Sequence, residues 1–425
     1  MYSENIIVTK KYNIELMVGD DMVSEEKNNN LMKYKGMLIP NDWIVKKFKD
    51  AVVIKTGQVN PTKQPYSEMY HVGLVNIEKY TGRLLNVKKA KEEKVSSGKY
   101  LFQKGDVLFG KIRPELAKVC YTEIDGICSA DIYPLKETEF VDSMFLKYVL
   151  LDMRFYQYSV SSSMRTGLPK VNREDLGGFD LILPPKAEQK VIATILSTWD
   201  KAIDLKENLI EQKKEKKKGL MQKLLTGEVR LPGFNREWKK VRLGEVLKER
   251  KEIGFADLEL LAITSKNGVV RRTEVDIKDN SSEDKSKYKR ILPNDIGYNT
   301  MRMWQGVSGV SKYEGIVSPA YTILKPTEKV NSDYMGYLFK LPSVVNQFKR
   351  HSQGLVNDTL NLKYENLKVI KIVLPMDISE QVAIANVLKC IDREIGVLQK
   401  QLNSIKQQKK GLMQQLLTGR IRVKV

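Results

Sequence analysis

One eleven-residue stretch occurs twice in this chain. KKGLMQKLLTG runs from Lys217 to Gly227 and returns as KKGLMQQLLTG from Lys409 to Gly419, an offset of 192 residues (409 − 217). Extended to KKGLMQKLLTGEVRL and KKGLMQQLLTGRIRV, the two copies share 11 of 15 positions. Upstream, Leu183-Pro184-Pro185-Lys186-Ala187-Glu188-Gln189 matches Leu374-Pro375-Met376-Asp377-Ile378-Ser379-Glu380-Gln381 with one residue inserted. Past that insertion the register holds, pairing Ile192 with Ile384, Ala193 with Ala385, Leu196 with Leu388, Asp200 with Asp392 and Ile203 with Ile395. An element of about forty residues used twice constrains the fold strongly. Whatever it packs against must be supplied twice as well.

The element reads as a helix. In the second copy Ile384, Leu388, Ile391, Ile395, Leu398, Leu402, Ile405, Leu412 and Leu416 recur in steps of four and three, broken only at Lys409. That is a heptad seam, which needs a partner to bury it. In the first copy Ile192, Leu196, Trp199, Ile203, Ile210, Leu220 and Leu224 keep the register, with Lys206, Lys213 and Lys217 falling on the seam. Lysine stems can cover apolar surface while their ammonium groups reach out of it. A proline precedes each copy and Thr-Gly follows it, as expected at helix ends. About 38 residues give a rod of roughly 57 Å. The simplest partner for each rod is the other one, antiparallel, because a tethered partner is present at high effective concentration. Dimerisation between chains is the alternative.

The intervening segments, about 40–183 and 232–373, read as strand-rich with irregular turns. Ile39-Pro40-Asn41-Asp42-Trp43 with Phe48 parallels Leu231-Pro232-Gly233-Phe234-Asn235-Arg236-Glu237-Trp238 with Leu243. Gly105-Asp106-Val107-Leu108 falls near the place of Asn294-Asp295-Ile296-Gly297, and each segment closes on an apolar strand ending in proline. The layout predicts five parts: an N-terminal extension (1–35) without a counterpart, a first globular domain (36–185), a first spacer helix (186–231), a second globular domain (232–375) and a second spacer helix (376–425).

The 72 basic and 52 acidic residues give a net charge of +20. Such a balance favours a polyanionic partner, since neutralising phosphates releases condensed counterions. No run approaches the ~18 apolar residues of a membrane span and the N-terminus lacks signal-peptide order, so a cytoplasmic location is expected. Cys120, Cys128 and Cys390 form no C-x-x-C pair, and with only His71 and His351 beside them no metal site is expected; reduced, structural thiols are the reading. Gly105 to Ile112 fits G-x-x-x-x-G-K but lacks the Ser or Thr that holds magnesium, and its apolar spacers suit a strand. Neither Asn60-Pro61 nor Pro184-Pro185 completes an adenine-methyltransferase loop, and Glu211-Gln212-Lys213 sits in a lysine-rich helix rather than a nuclease core. No catalytic residues are assigned. Recognition chemistry gathers where basic, amide and aromatic side chains interleave: Lys55, Gln58, Lys111, Arg113 and Arg165 in the first segment, and Arg271, Arg302, Gln305, Arg350 and Gln353 in the second. Arginine can read guanine and Gln or Asn adenine, while Lys and Ser or Thr bind phosphate.

Two variable segments, each opening on a Pro-x-x-Trp-like stretch and closing on Leu-Pro and Glu-Gln, followed by a long helix ending in K-x-G-L-M-Q-x-L-L-T-G, resemble the specificity subunit of type I restriction-modification systems. The resemblance covers about residues 36 to 425. It implies an α+β fold in which two target-recognition domains are joined by two long antiparallel helices, a coiled-coil spacer with pseudo-twofold symmetry. It further implies that each domain reads one half of a bipartite, gapped site in double-stranded DNA. Two methylation subunits would dock on the helices, with Ile192, Leu196, Trp199, Ile203, Leu220, Leu224, Ile384, Leu388, Ile391, Ile395, Leu412 and Leu416 as the spacer residues, and restriction subunits would join for cleavage. S-adenosylmethionine, ATP and magnesium would then belong to the partner subunits, and this chain would bind no cofactor. The competing expectation is a basic coiled-coil scaffold that binds other proteins or RNA.

Overall fold

In the computed structural model the described residues are 16–17, 31–163, 169–275 and 284–424. The repeated elements form helix α1 (Lys186–Thr226, 41 residues) and helix α2 (Ile378–Leu416, 39 residues). The chain divides into two units, residues 1–206 with 401–425, and residues 207–400. Each unit therefore holds one globular segment, the first half of one long helix and the second half of the other.

In the first unit Val53–Ile54, Ile132–Lys136, Val107–Gly110 and Val119–Tyr121 form an antiparallel four-stranded sheet in that order. In the second unit Leu247–Arg250, Tyr321–Pro326, Ile296–Asn299 and Ser308–Val310 form the same sheet in the same order. The register matches to the residue. Val107 lies opposite Leu135 and Tyr121, and Ile296 opposite Leu324 and Val310, a shift of 189 at each position (296 − 107, 324 − 135, 310 − 121). The glycine-rich stretch after Gly105 is accordingly a central, buried strand, as its apolar spacers suggested. Asp106 and Asp295 occupy equivalent turns before these strands, accepting from the backbone N–H of Gln103 at 2.7 Å and Leu292 at 2.9 Å.

The closing strands Asp180–Leu183 and Lys371–Leu374 pair with the strands beside the tryptophans, Ile44–Lys47 and Lys239–Arg242. Among the helices of each globular segment the two longest were hidden by strand-like patterning: Ser143–Leu151 and Met153–Ser163, then Ser332–Leu338 and Pro342–His351. They are short and rich in Tyr, Phe and Val, so propensity gives little sign of them, and packing settles the outcome. Asp142 and Asn331 cap the first helix of each pair, accepting from Phe145 N–H at 2.9 Å and Tyr334 N–H at 3.0 Å.

These helices complete the burial of the seam. In the first unit Ile192 and Leu196 of α1, Leu416 at the end of α2 and Leu417 just after it share one core with Phe145, Leu146 and Val149. In the second, Leu224 and Leu225 of α1 share a core with Ile384 and Leu388 of α2 and with Tyr334, Met335 and Leu338. The start of each long helix thus meets the end of the other, so within each unit the segments run antiparallel. Toward mid-helix Ile203, Ile210 and Ile395 are buried, while Trp199, Leu220, Ile391 and Leu412 are half-buried. The off-pattern lysines do cover the seam: Lys206 donates to Gln401 at 3.1 Å, Lys213 pairs with Glu394 at 2.6 Å and Lys217 with Asp392 at 2.6 Å. Cys120 and Cys128 are buried in the first globular segment, whereas Cys390 is exposed on α2.

Candidate nucleic-acid interface

The repeated Glu-Gln, read in the sequence only as part of the frame, is a clamp. Gln189 is fully buried; its amide donates to the carbonyls of Phe140 (2.8 Å) and Pro184 (2.9 Å) and accepts from Asp142 N–H at 2.8 Å. Gln381 repeats this with Lys329 (3.1 Å), Pro375 (2.8 Å) and Asn331 N–H (2.8 Å). The neighbouring glutamates bind across the repeat. Glu188 accepts from Trp43 Nε1 at 3.3 Å and from Arg422, which follows α2, at 2.8 Å through both Nε and Nη2. Glu380 accepts from Trp238 Nε1 at 3.3 Å and from Arg230, which follows α1, at 2.5 and 2.8 Å. Gly227 and Gly419, in the left-handed region at φ +74 and +71, close this arrangement by lying against Trp238 and Trp43, where a Cβ would be in tight contact. The Arg of EVRL and RIRV was visible in the repeat; its partner was not.

A second pair of polar crossings lies farther along the helices. Asp200 accepts from Tyr148 Oη at 2.7 Å, Lys147 at 3.2 Å and Lys409. Asp392 accepts from Tyr337 Oη at 2.7 Å and Lys217 at 2.6 Å. Burial alone would raise the Asp200 carboxyl, but Lys147 and Lys409 outweigh it and hold its pKa below the ordinary value. Each crossing ties one long helix to the other and to a globular segment, so the frame positions whatever the globular segments present.

The globular segments present one equivalent locus each. After the central strand, Arg113 opens the 3-10 turn Pro114–Leu116 and Arg302 opens Met303–Gln305, again 189 residues apart (302 − 113). The second helix of each pair packs on that turn. The segment after the helix returns to the strand end, with Val171 N–H donating to Lys111 O and Leu362 N–H to Thr300 O, both at 2.9 Å. In the second unit this gathers several separate sequence candidates. Arg302, Gln305, Arg350 and Gln353 are all exposed, Arg302 lies 3.5 Å from Asp358, and Lys349 stands over the Trp304 ring at 5.6 Å. In the first unit Arg113 is exposed beside Pro169, whose carbonyl accepts its N–H at 2.9 Å. Arg165 lies outside the described residues.

Two candidates are corrected. Lys55 turns inward to Asp106 at 2.5 Å and Gln103 at 3.2 Å, the counterpart of the Arg250–Asp295 pair at 2.7 Å. Lys111 is buried, its ammonium donating to Ala130 O and standing 5.0 Å over Tyr133, and burial pushes its pKa down. Both cations serve internal partners, with Lys111 buried and Lys55 half-buried. Gln58 and Arg271 are exposed but sit elsewhere. Gln58 lies on the edge strand Gln58–Val59. Arg271 ends the hairpin Leu261–Thr264 with Gly268–Arg271, beside Glu259 at 3.4 Å and over Tyr313 at 5.1 Å. Among the described residues no group of His, Cys, Asp and Glu is arranged to hold a metal ion, and no helix is long and apolar enough to cross a membrane.

The profile of the type I restriction modification DNA specificity domain matches this chain twice, over residues 40–214 and 235–407. The chain belongs to that specificity family. Among its relatives, the type I restriction enzyme EcoDI specificity subunit of Escherichia coli is 34% identical over 154 residues, 36% of this chain and 34% of that one. The putative type I restriction enzyme MjaX specificity subunit of Methanocaldococcus jannaschii is 26% identical over 435 residues, 94% of this chain and 98% of that one. The fold is shared with a chain from a structure of the type I R-M system solved for its complex assembly and conformational transition (TM-score 0.59, 19% identity, 91% of this chain and 100% of that one). It is also shared with the type I S subunit of M. genitalium (TM-score 0.54, 14% identity, 91% and 98%). The two domain copies coincide with the two globular segments and most of each long helix, and nothing in these relatives supports the scaffold reading.

Proposed function

We propose that each unit reads one half of a bipartite, gapped sequence in double-stranded DNA, and that the paired helices set the gap and dock two methylation subunits. The observation that carries this reading is the duplicated locus: an arginine at the same position of the same turn in two domains whose surrounding sequences differ. Equal placement with unequal side chains is what two different half-sites require, since position fixes where a base edge is met and side-chain identity decides which base is accepted. The net charge of +20 supports a polyanionic partner. Recognition is the role of this chain, and chemistry belongs to its partners. Methyl transfer from S-adenosylmethionine would come from the methylation subunits, and ATP- and magnesium-dependent cleavage from restriction subunits, in the cytoplasm.

The test is expression of the chain with its cognate methylation subunit in cells lacking other DNA methylation, followed by methylation-sensitive sequencing. A split motif with a fixed unread gap is the expected result; a continuous motif, or none, overturns the reading. Purified alone, the chain should transfer no methyl group from S-adenosylmethionine to DNA, and activity there would contradict the division of labour.

A further inference from the structure

The locus of the second unit carries two exposed apolar side chains. Leu355 is 101% exposed and Val356 61% exposed, in a short loop between Gln353 and Asn361. The loop is built, not frayed. Gln353 and Asn361 exchange both backbone hydrogen bonds at 2.8 Å, and Thr359 N–H donates to Val356 O at 3.0 Å. Gly354, at φ +141, meets the Thr359 carbonyl so closely that a Cβ there would lie 2.6 Å from its oxygen. A folded loop that orients two apolar side chains into water loses the free energy their burial would give, unless a ligand covers them. The surroundings indicate which ligand. Arg302 is exposed and lies 3.5 Å from Asp358 of the loop, and Lys349 and Arg350 are exposed near the end of the helix Pro342–His351 that leads into it. Apolar tips among cations suit a surface whose rim is phosphate and whose interior offers apolar groups. In duplex DNA the apolar group on a base edge is the thymine C5-methyl, in the major groove.

We infer that Leu355 and Val356 contact a thymine methyl in the half-site read by the second unit, with Arg302, Lys349 and Arg350 engaging the flanking phosphates and base edges. This rests on the proposed DNA reading and extends it to a named chemical group. It makes Leu355 and Val356 specificity-determining residues where the sequence offered only polar candidates.

The experiment uses the full chain assembled with its methylation subunit and duplexes carrying the site defined by methylation sequencing. Each thymine of the second half-site, on either strand, is replaced in turn by uracil, which lacks only the methyl. One such replacement should weaken binding about fourfold, the equivalent of burying one methyl group at roughly 0.8 kcal/mol. The double variant Leu355→Ser with Val356→Ser should bind the thymine and uracil duplexes equally at that position. Its thermal stability should match the parent, since neither side chain touches the core, and uracil replacements in the first half-site should affect variant and parent alike. A parent indifferent to uracil, or a variant that keeps the discrimination, overturns the inference. If 2-aminopurine beside the contacted step instead shows unstacking that the variant abolishes while uracil is silent, the loop is a wedge between bases and the methyl assignment is wrong. Failure of the parent to prefer its split site over random duplex would instead reject the underlying reading.

Discussion

Arg230 and Arg422 show how much of this structure hangs on single charges placed at matching points of the repeat. The Glu380 carboxylate is fully buried, with two hydrogen bonds from Arg230 and one from Trp238. Removing one partner of a buried pair leaves the other uncompensated, which costs more than the pair itself contributes. Arg230→Ala should therefore lower unfolding free energy by about 3 kcal/mol in denaturant titrations. Arg236→Ala, exposed and 4.0 Å from Asp377, should change it by less than about 0.5 kcal/mol; equal effects would mean that Glu380 is not held as described. Lys340 gives a pH signature. Burial, aided by the charge of Lys217, lowers its pKa from 10.5 to about 8 although Gly306 O and Ser308 O accept from it. Between these values the unfolded chain binds more protons than the native one, so stability should rise as pH increases from 8 to 10. Lys340→Met should flatten that rise in the denaturation midpoint; an unchanged slope would place the titration elsewhere. Residue type announced neither role. Lys55 and Lys111 looked like phosphate ligands for the same reason, because a lysine's sequence neighbours do not reveal whether its ammonium meets solvent, a carboxylate or a carbonyl.

The elements were legible in proportion to their periodicity. A heptad pattern sustained over forty residues announced α1 and α2, their ends and even the use of Lys206, Lys213 and Lys217 as seam cover, because long repetition averages out local ambiguity. The closing strands and the central strand after Gly105 were legible from apolar runs bounded by Pro, Gly and Asp. Helices such as Met153–Ser163 were not, because eleven residues with Ser, Tyr and Val give no helical preference until Phe155 finds Phe109 and Phe179 at 5.4 and 5.0 Å. The long helices also carry a geometric prediction. Lys206 and Gln401 face each other at 3.1 Å, so removing one heptad around each keeps the seam in phase. Seven residues at about 1.5 Å correspond to roughly three base steps of about 3.4 Å. Methylation sequencing of that double deletion should show both half-sites unchanged and the gap shortened by about three base pairs; the original gap would rule out the helices as its determinant.

At the scale of the molecule, the frame repeats and the readers differ. Two globular segments share sheet order and register while their exposed side chains at the locus diverge, and that divergence is why the sequence revealed two recognition domains but not what either reads. Replacing residues 232–375 with the corresponding segment of another family member should change one half of the methylated motif and leave the other half and the gap intact; a change in both halves would contradict independent reading. The two units are less separable in another respect. Each long helix passes from one unit into the other, so unfolding one unit alone must interrupt two continuous hydrogen-bonded helices near residues 206 and 401. Heat should therefore melt the chain as one cooperative body. Scanning calorimetry should show a single endotherm with matching calorimetric and van't Hoff enthalpies, where two domains on a flexible linker would give two peaks or an enthalpy ratio well above one.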